Sequence, residues 1–300
     1  GLQELLRGWG NAVEEALRAT GEDSRAAALA ARYAAAFPPV YRAHYGAAEA
    51  ARDIARLRQL GEGRRDVRLF CTQECAQGHL QLKVYHPHRA GALKLSDAVP
   101  ALENFGFEVL AEFSTELGGA EPAAIHDFTL AMPAGHPPEA LLDRAGVVEG
   151  AIADVLTGRS ENDLFNRLVV VGGLTAREAD WLRALYRYLR QTNIAFTIST
   201  VVEALAGAPA VTRGLIDLFV ARHDPRFSGD RAAAAEAALA AIRAGLAGVE
   251  AINDDRLLRL YRDTLLALVR TNAFAPAGAE ALAFKFDSAG VPGLPRPVPW

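Results

Sequence analysis

Five of the seven histidines in the chain, His79, His86, His88, His126 and His136, lie between positions 79 and 136. Imidazoles gathered in one stretch can ligate a metal or relay protons. A helical zinc site would show the spacing H-x-x-x-H or H-E-x-x-H, and the sequence has neither. His86 and His88 flank Pro87 and are expected in solvent, which leaves His126-Asp127 as the pair that could do acid–base work. That role requires both side chains to line an open cleft. An imidazole buried beside a carboxylate more often orients packing. The sequence therefore assigns no catalytic residue and no metal ligand.

Other patterns that suggest chemistry fail on spacing. Val169-Val170-Val171-Gly172-Gly173-Leu174 ahead of a helix looks like the phosphate turn of a dinucleotide fold. The G-x-G-x-x-G spacing is absent, however, and the apolar run continues a helical pattern from Leu164, so a helix break is expected and no cofactor in this chain. Ser96, Ser160 and Ser228 stand where helices need caps, and no G-x-S-x-G turn occurs. Cys71 and Cys75 are too few for a four-ligand zinc site and are expected to be reduced. The loop from Pro87 to Asp97 is where backbone N–H groups and a helix N-terminus can receive a carboxylate. Its candidate ligand residues are His86, His88, Arg89, Gly91, Ser96 and Asp97, with an ordinary connecting loop as the equal alternative.

The elements that must position these residues follow from periodicity. His79 to His86 alternates apolar and polar residues as a half-buried strand does, and Pro87 to Gly91 breaks it. Ser96 is placed to cap a helix through Asp97–Phe105, with Gly106 as its stop. Phe107–Phe113 and Ala123–Met132 read as two further strands, separated by the turn Leu117–Pro122, and a helix from Pro137 runs towards Leu156. Asp66–Thr72, upstream, is placed to pair with the His79 strand as a hairpin. The fold class is α+β, a ferredoxin-like βαββα sandwich flanked by mainly α-helical regions. The domain division is 1–63 helical leader, 64–158 the α/β unit, 159–273 helical domain, and 274–300 strand and proline-rich connector.

In the leader, helices are expected over Leu2–Ala19, from Ser24 to Phe37, and from the Gly46 cap to Leu60 before Gly61-Glu62-Gly63. Beyond Ser160 and Asp163 come Leu164–Val171, a capping box of Thr175 and Glu178 leading a helix through Arg190, and helices over Ile198–Ala206, Ala210–Arg222, Asp230–Val249 and Asp254–Thr271, the last capped by Asn253. In the Thr175 helix, Leu182, Leu185, Tyr186 and Leu189 share a face that Arg183, Arg187 and Arg190 do not. Ala281–Asp287 reads as a strand that either completes the α/β sheet or pairs beyond Trp300. Net charge is −4 and the basic residues are dispersed, which argues against a nucleic-acid partner. No apolar run reaches the roughly 18–20 residues of a membrane span, so no membrane partner is expected. Lysine occurs only at Lys83, Lys94 and Lys285 amid many Arg and Ala, the composition of a GC-rich bacterial genome. The start at Gly1, almost at once inside a helical pattern, reads as a piece of something longer.

The Pro87...Gly91-x-Leu93 spacing and the terminal Gly106 resemble the strand-to-helix loop of ACT domains, small regulatory modules that often bind amino acids there. A wider resemblance rests on Ala31–Pro38, Leu82–Pro87, Leu95–Gly106, Ile125–Phe128, Phe165–Val169, Leu182–Gln191 and Phe284–Ser288, in that order. Together these stretches resemble the region just before the catalytic domain of the large bacterial NAD-specific glutamate dehydrogenases. The resemblance implies a non-catalytic ACT-like and helical segment of a long chain, with NAD bound elsewhere in it. It also implies partnership with other domains of the same chain, homo-oligomeric assembly, a cytoplasmic location and an amino-acid effector. A free-standing ACT-type binding or interaction module is the alternative. The family's substrate lysine in a glycine-rich setting has no counterpart here.

Overall fold

The structure is a computed structural model that describes residues 2–60, 64–119, 122–192, 196–294 and 297–298. The turn at Gly61–Gly63, the tip of the Leu117–Pro122 turn and part of the proline-rich tail lie outside the described residues. The chain divides into two compact units, Gly1–Glu103 with Phe107–Asn162, and Asp163–Trp300 with Asn104–Gly106.

The first unit opens with helices α1 (Leu2–Ala19), α2 (Ala26–Tyr33), α3 (Pro39–His44) and α4 (Ala47–Gln59). Gly46 is the N-cap of α4, as its sequence suggests, but α2 starts after Arg25 with no side-chain cap, so Ser24 does not open it. The α3 turn was not legible because Pro38-Pro39 reads as a stop; Pro39 occupies the first helical turn, where its missing N–H is harmless. Strands β1 (Asp66–Phe70), β2 (His79–Pro87), β3 (Glu108–Leu117) and β4 (Ala123–Ala131) form one antiparallel sheet in the order β1-β2-β4-β3. The upstream strand pairs with β2 as the hairpin reading expected. It thereby fills the edge that the last strand of a ferredoxin-like sandwich takes.

Helix α5 (Leu95–Asn104) begins one residue before Ser96, and the Lys94 carbonyl accepts from the N–H groups of Asp97 and Ala98 at 3.0 Å. Ser96 therefore lies in the first turn and is not the cap. Gly106, at φ 94°, ends the segment in a left-handed conformation that a side chain would strain. The helix expected from Pro137 to Leu156 is broken into α6 (Pro138–Leu142) and α7 (Ala145–Leu156). Helix α7 packs on β1, and Glu149 accepts from the Leu69 N–H at 2.8 Å. The central strands β2 and β4 are buried on both faces, where alternation in β2 had suggested one. The second cover comes from the leader, whose Phe37, Tyr41 and Ile54 share a core with Tyr85, Leu117 and Ile125. Cys71 and Cys75, expected reduced, are bonded to each other.

The second unit holds α8 (Arg167–Val170), α9 (Ala176–Gln191), α10 (Ile198–Gly207), α11 (Pro209–His223), α12 (Arg231–Leu246) and α13 (Ile252–Ala267), then a ribbon of β5 (Leu268–Thr271) and β6 (Phe284–Phe286). The Thr175–Glu178 capping box is formed in both directions, a device worth about 1 kcal/mol. Leu182, Leu185 and Leu189 face the core with Phe219, Leu258 and Tyr261, each such burial contributing about 1.5–3 kcal/mol. Arg183 joins that face instead of avoiding it: it is 3% exposed and bonds Asp163 at 2.8 Å, Asn166 at 2.8 Å and Asp180. The last helix starts at Ile252 with no side-chain cap, so Asn253 is inside it, and it ends at Ala267 where β5 begins. Strand β6 pairs with β5 within this chain and does not complete the larger sheet. Among the described residues no single helix is long and apolar enough to cross a membrane. The apolar pair α10 and α11 bends by 97° at its junction, and its apolar residues line the core.

Candidate functional site

The pattern of β2 places Lys83 on the face opposite Leu82 and Val84, and the register sets Arg68, Lys83, Asp127 and Phe113 in one row across the sheet. Helix α4 lies over this row with Glu49 and Asp53 one turn apart on the face that also carries Ala50 and Ile54. Lys83 is fully buried, and its ammonium donates to Glu49 at 2.7 Å and to Asp53 at 2.8 Å. Asp53, also fully buried, accepts from the Tyr41 hydroxyl at 2.5 Å and from the Tyr85 hydroxyl at 2.7 Å. The Arg68 guanidinium pairs with Glu49 and donates to the Tyr85 oxygen at 3.1 Å. The Tyr45 ring faces the Lys83 ammonium at 4.0 Å, while its hydroxyl donates to Asp127.

Burial opposes ionisation of Glu49, but Lys83 and Arg68 outweigh it and hold its carboxyl below the usual range. Asp127 goes the other way. Burial first, then Asp53 and Glu49, push it up to about 6 although Tyr45 and Lys83 favour its charge. The cluster has every charge opposed by a partner within the unit. It can clamp α4 to the sheet, and its buried groups present no open cleft for acid–base chemistry.

His126 and Asp127 are both buried, but strand alternation sends them to opposite faces of β4. His126 bonds Glu112 through Nδ1 at 2.7 Å and stacks on His86 with ring centroids 5.3 Å apart. The pair therefore does not line one cleft, and the enzyme reading built on it is lost. His86, expected in solvent, is 3% exposed with neither ring nitrogen bonded; burial, then His126 and Arg65, lower its pKa to about 4. Among the described residues no three His, Cys, Asp or Glu side chains converge as metal ligands do. Val169 and Val170 lie in α8 and not in a strand, so the phosphate turn of a dinucleotide fold is not formed and these residues do not fit NAD.

Of the other candidate ligand residues, His88 and Arg89 form a short turn after β2 and line a cavity of about 500 Å³. Gly91, Ser96 and Asp97 are exposed and do not line it. Opposite the turn, α2 contributes Arg32 and α4 contributes Leu57 and Arg58, with Leu117 from the end of β3. Arg58 pairs with Glu22 at 2.7 Å and His88 with Glu116 at 2.6 Å. The His88 N–H donates to the Pro122 carbonyl at 3.1 Å, which ties the turn to the start of β4. Sequence reasoning missed Arg32, Arg58 and the whole Lys83 cluster. The signal for the latter was present as two carboxylates, Glu49 and Asp53, on the apolar side of an amphipathic helix.

Fold and site together define an ACT-type sandwich clamped to a helical leader and followed by a second helical unit. Models of one family tile the chain in order. Residues 16–60 match glutamate dehydrogenase helical motif 2, 64–145 the ACT3 domain, 160–225 helical motif 3, and 241–300 the catalytic domain of bacterial NAD-glutamate dehydrogenase. The chain is 35% identical over 277 residues to the NAD-specific glutamate dehydrogenase of Pseudomonas aeruginosa, covering 88% of this chain and 17% of that protein. It is 32% identical to those of Halomonas elongata and Mycobacterium tuberculosis, covering in each case 99% of this chain and 19% of the relative. The chain belongs to the large NAD-specific glutamate dehydrogenase family and spans about a fifth of the length of these relatives.

Proposed function

We propose that this chain is a regulatory and scaffolding segment of an NAD-dependent glutamate dehydrogenase, whose whole polypeptide converts glutamate and NAD to 2-oxoglutarate, ammonia and NADH. In this reading the segment carries no turnover of its own. It supports assembly of a cytoplasmic homo-oligomer and senses an amino acid at the loop after β2. The observation that carries the reading is the Lys83 cluster. It makes the residues matching helical motif 2 and the ACT3 domain one mechanical unit, so an event at the ACT sheet is felt by the leader helices. The match of 241–300 to a catalytic-domain model supports a segment continuous with an enzyme over a free-standing module.

The test is made in the whole parent polypeptide. Lys83→Met is expected to reduce the assembled mass measured by light scattering and, with it, glutamate-dependent NADH formation. The purified chain alone is expected to form no NADH. Full assembly and full turnover in the variant, or turnover by the isolated chain, would overturn the reading.

A further inference from the structure

The two cysteines of the chain, Cys71 and Cys75, stand in the turn between β1 and β2 and are bonded to each other, with Cα atoms 5.4 Å apart. That separation is ordinary for a bridged pair. A disulfide that staples a fold joins segments that would otherwise part, and its contribution grows with the loop it closes. This one joins residues four apart. The turn is also held without it: the Cys75 N–H donates to the Thr72 carbonyl at 3.1 Å and the Gly78 N–H to the Cys75 carbonyl at 2.9 Å, while β1 and β2 pair from Asp66 to Phe70. Cys71 is exposed and Cys75 half-buried, so a dissolved thiol reaches the bond from the Cys71 side. Cys75 lines a cavity of about 530 Å³ between this turn and the loop after β4, together with Gly78, His79, Met132 and His136. The Met132 N–H donates to the Gly78 carbonyl at 3.2 Å, which ties the two walls of the cavity together.

We propose that Cys71 and Cys75 are a reversible thiol–disulfide modification site, cycled by a low-molecular-weight thiol such as glutathione, and that the bond sets one wall of this cavity. In reduction a thiolate attacks the Cys71 sulfur, the S–S bond breaks, and Cys75 leaves as a thiolate that takes up a proton. A second thiolate then attacks the small-molecule sulfur of the mixed disulfide, which frees Cys71 as a thiol and releases the low-molecular-weight disulfide. Two electrons pass from the two small thiols to the protein sulfurs, and the reverse sequence uses the small disulfide as oxidant. Both protein thiols stay on one hydrogen-bonded turn, so reoxidation is an intramolecular attack and is favoured by proximity. Reduction loosens the short turn Gln73–Gln77, whose last residues belong to the cavity wall. The reduced pair expected from the sequence and the bonded pair of the structure are the two states of this site.

The test is made on this chain, equilibrated in glutathione buffers from fully reduced to fully oxidised, quenched with an alkylating reagent and weighed by mass spectrometry. Two alkylated cysteines are expected at the reducing end and none at the oxidising end, with the midpoint inside the range that glutathione itself buffers. Hydrogen exchange is expected to be severalfold faster in the reduced protein across residues 71–78 and 132–139, and unchanged across 163–300. The double variant Cys71→Ser with Cys75→Ser should exchange like the reduced protein in either buffer. It should melt within about 3 °C of the oxidised protein, because the bond closes so short a loop. Four results would overturn the proposal: a pair that stays bonded at the reducing end, a pair that never bonds at the oxidising end, exchange that is the same in both states, or a double variant that fails to fold. None of them bears on whether Lys83→Met disturbs assembly of the parent, so this proposal and the reading above fail separately.

Discussion

Replacing Lys83 by Met removes the ammonium that bridges Glu49 and Asp53 while keeping the length and apolar stem of the side chain. Two contacts at 2.7 and 2.8 Å each carry roughly 6 kcal/mol of Coulomb attraction at an effective dielectric of about 20. Desolvation of the three ions offsets most of that sum, so the measurable effect is the cost of leaving carboxylates buried without their partner, about 3–5 kcal/mol. Asp53 would keep the Tyr41 and Tyr85 hydroxyls and Arg68 at 3.6 Å, and Glu49 would keep Arg68. The loss is therefore expected at the lower end, about 3 kcal/mol. Urea unfolding followed by circular dichroism gives the magnitude, and hydrogen exchange read by mass spectrometry places it. Faster exchange is expected in α4 and β2 and not across residues 163–300. Adding Asp53→Asn to Lys83→Met should recover about 1 kcal/mol relative to the sum of the single changes, because the stranded charge is gone. A Lys83→Met protein within about 0.5 kcal/mol of wild type, or one whose exchange rises equally in both units, would refute the clamp.

The acid limb of stability should show two opposed contributions. Asp127 has its pKa raised from 3.8 to about 6, so it contributes stability that is full below about pH 4 and lost as pH rises through about 6, on the order of 3 kcal/mol. His86 has its pKa lowered from 6.5 to about 4, so its contribution is full above about pH 6.5 and lost as pH falls through about 4. Asp127→Asn should thus raise stability at pH 8 and His86→Leu should raise it at pH 4, as measured by urea midpoints across that range; equal slopes in both variants would contradict the assignment. In the second unit, Arg183→Met strands Asp163 and is expected to cost about 2–3 kcal/mol, less than Lys83→Met because Asp180 is already 37% exposed. Arg183→Lys should recover only part of this loss in thermal unfolding, since an ammonium cannot span Asp163, Asp180 and Asn166 together.

Local rules made much of the fold legible. Gly106, the Thr175–Glu178 box and the period-two run of β2 identified elements within a residue or two, because caps and alternation act over one turn or one strand. The errors lie where local cues compete. Ser96 and Asn253 are good caps that the chain bypasses by starting each helix at the residue before them, and Pro38-Pro39 opens a turn where its sequence reads as a stop. Within the candidate loop, sequence reasoning reached His88 and Arg89 but not Arg32 or Arg58, which lie on helices far away along the chain.

What the sequence by itself determined was the order of most elements, the α+β class and the family, since these rest on local periodicity and on motifs met in order. What only the tertiary structure decided was which side of the sheet is covered twice. Lys83 looks like the solvent side of a half-buried strand until α4 is laid over it, and then it becomes a buried ion that must find Glu49 and Asp53. Strand alternation in β4 separates His126 from Asp127 across the sheet, so neighbours in sequence do not share a site. The physical reason is common to both cases: burial and charge pairing are properties of surfaces brought together by packing, and no spacing along one strand records what will be packed against it.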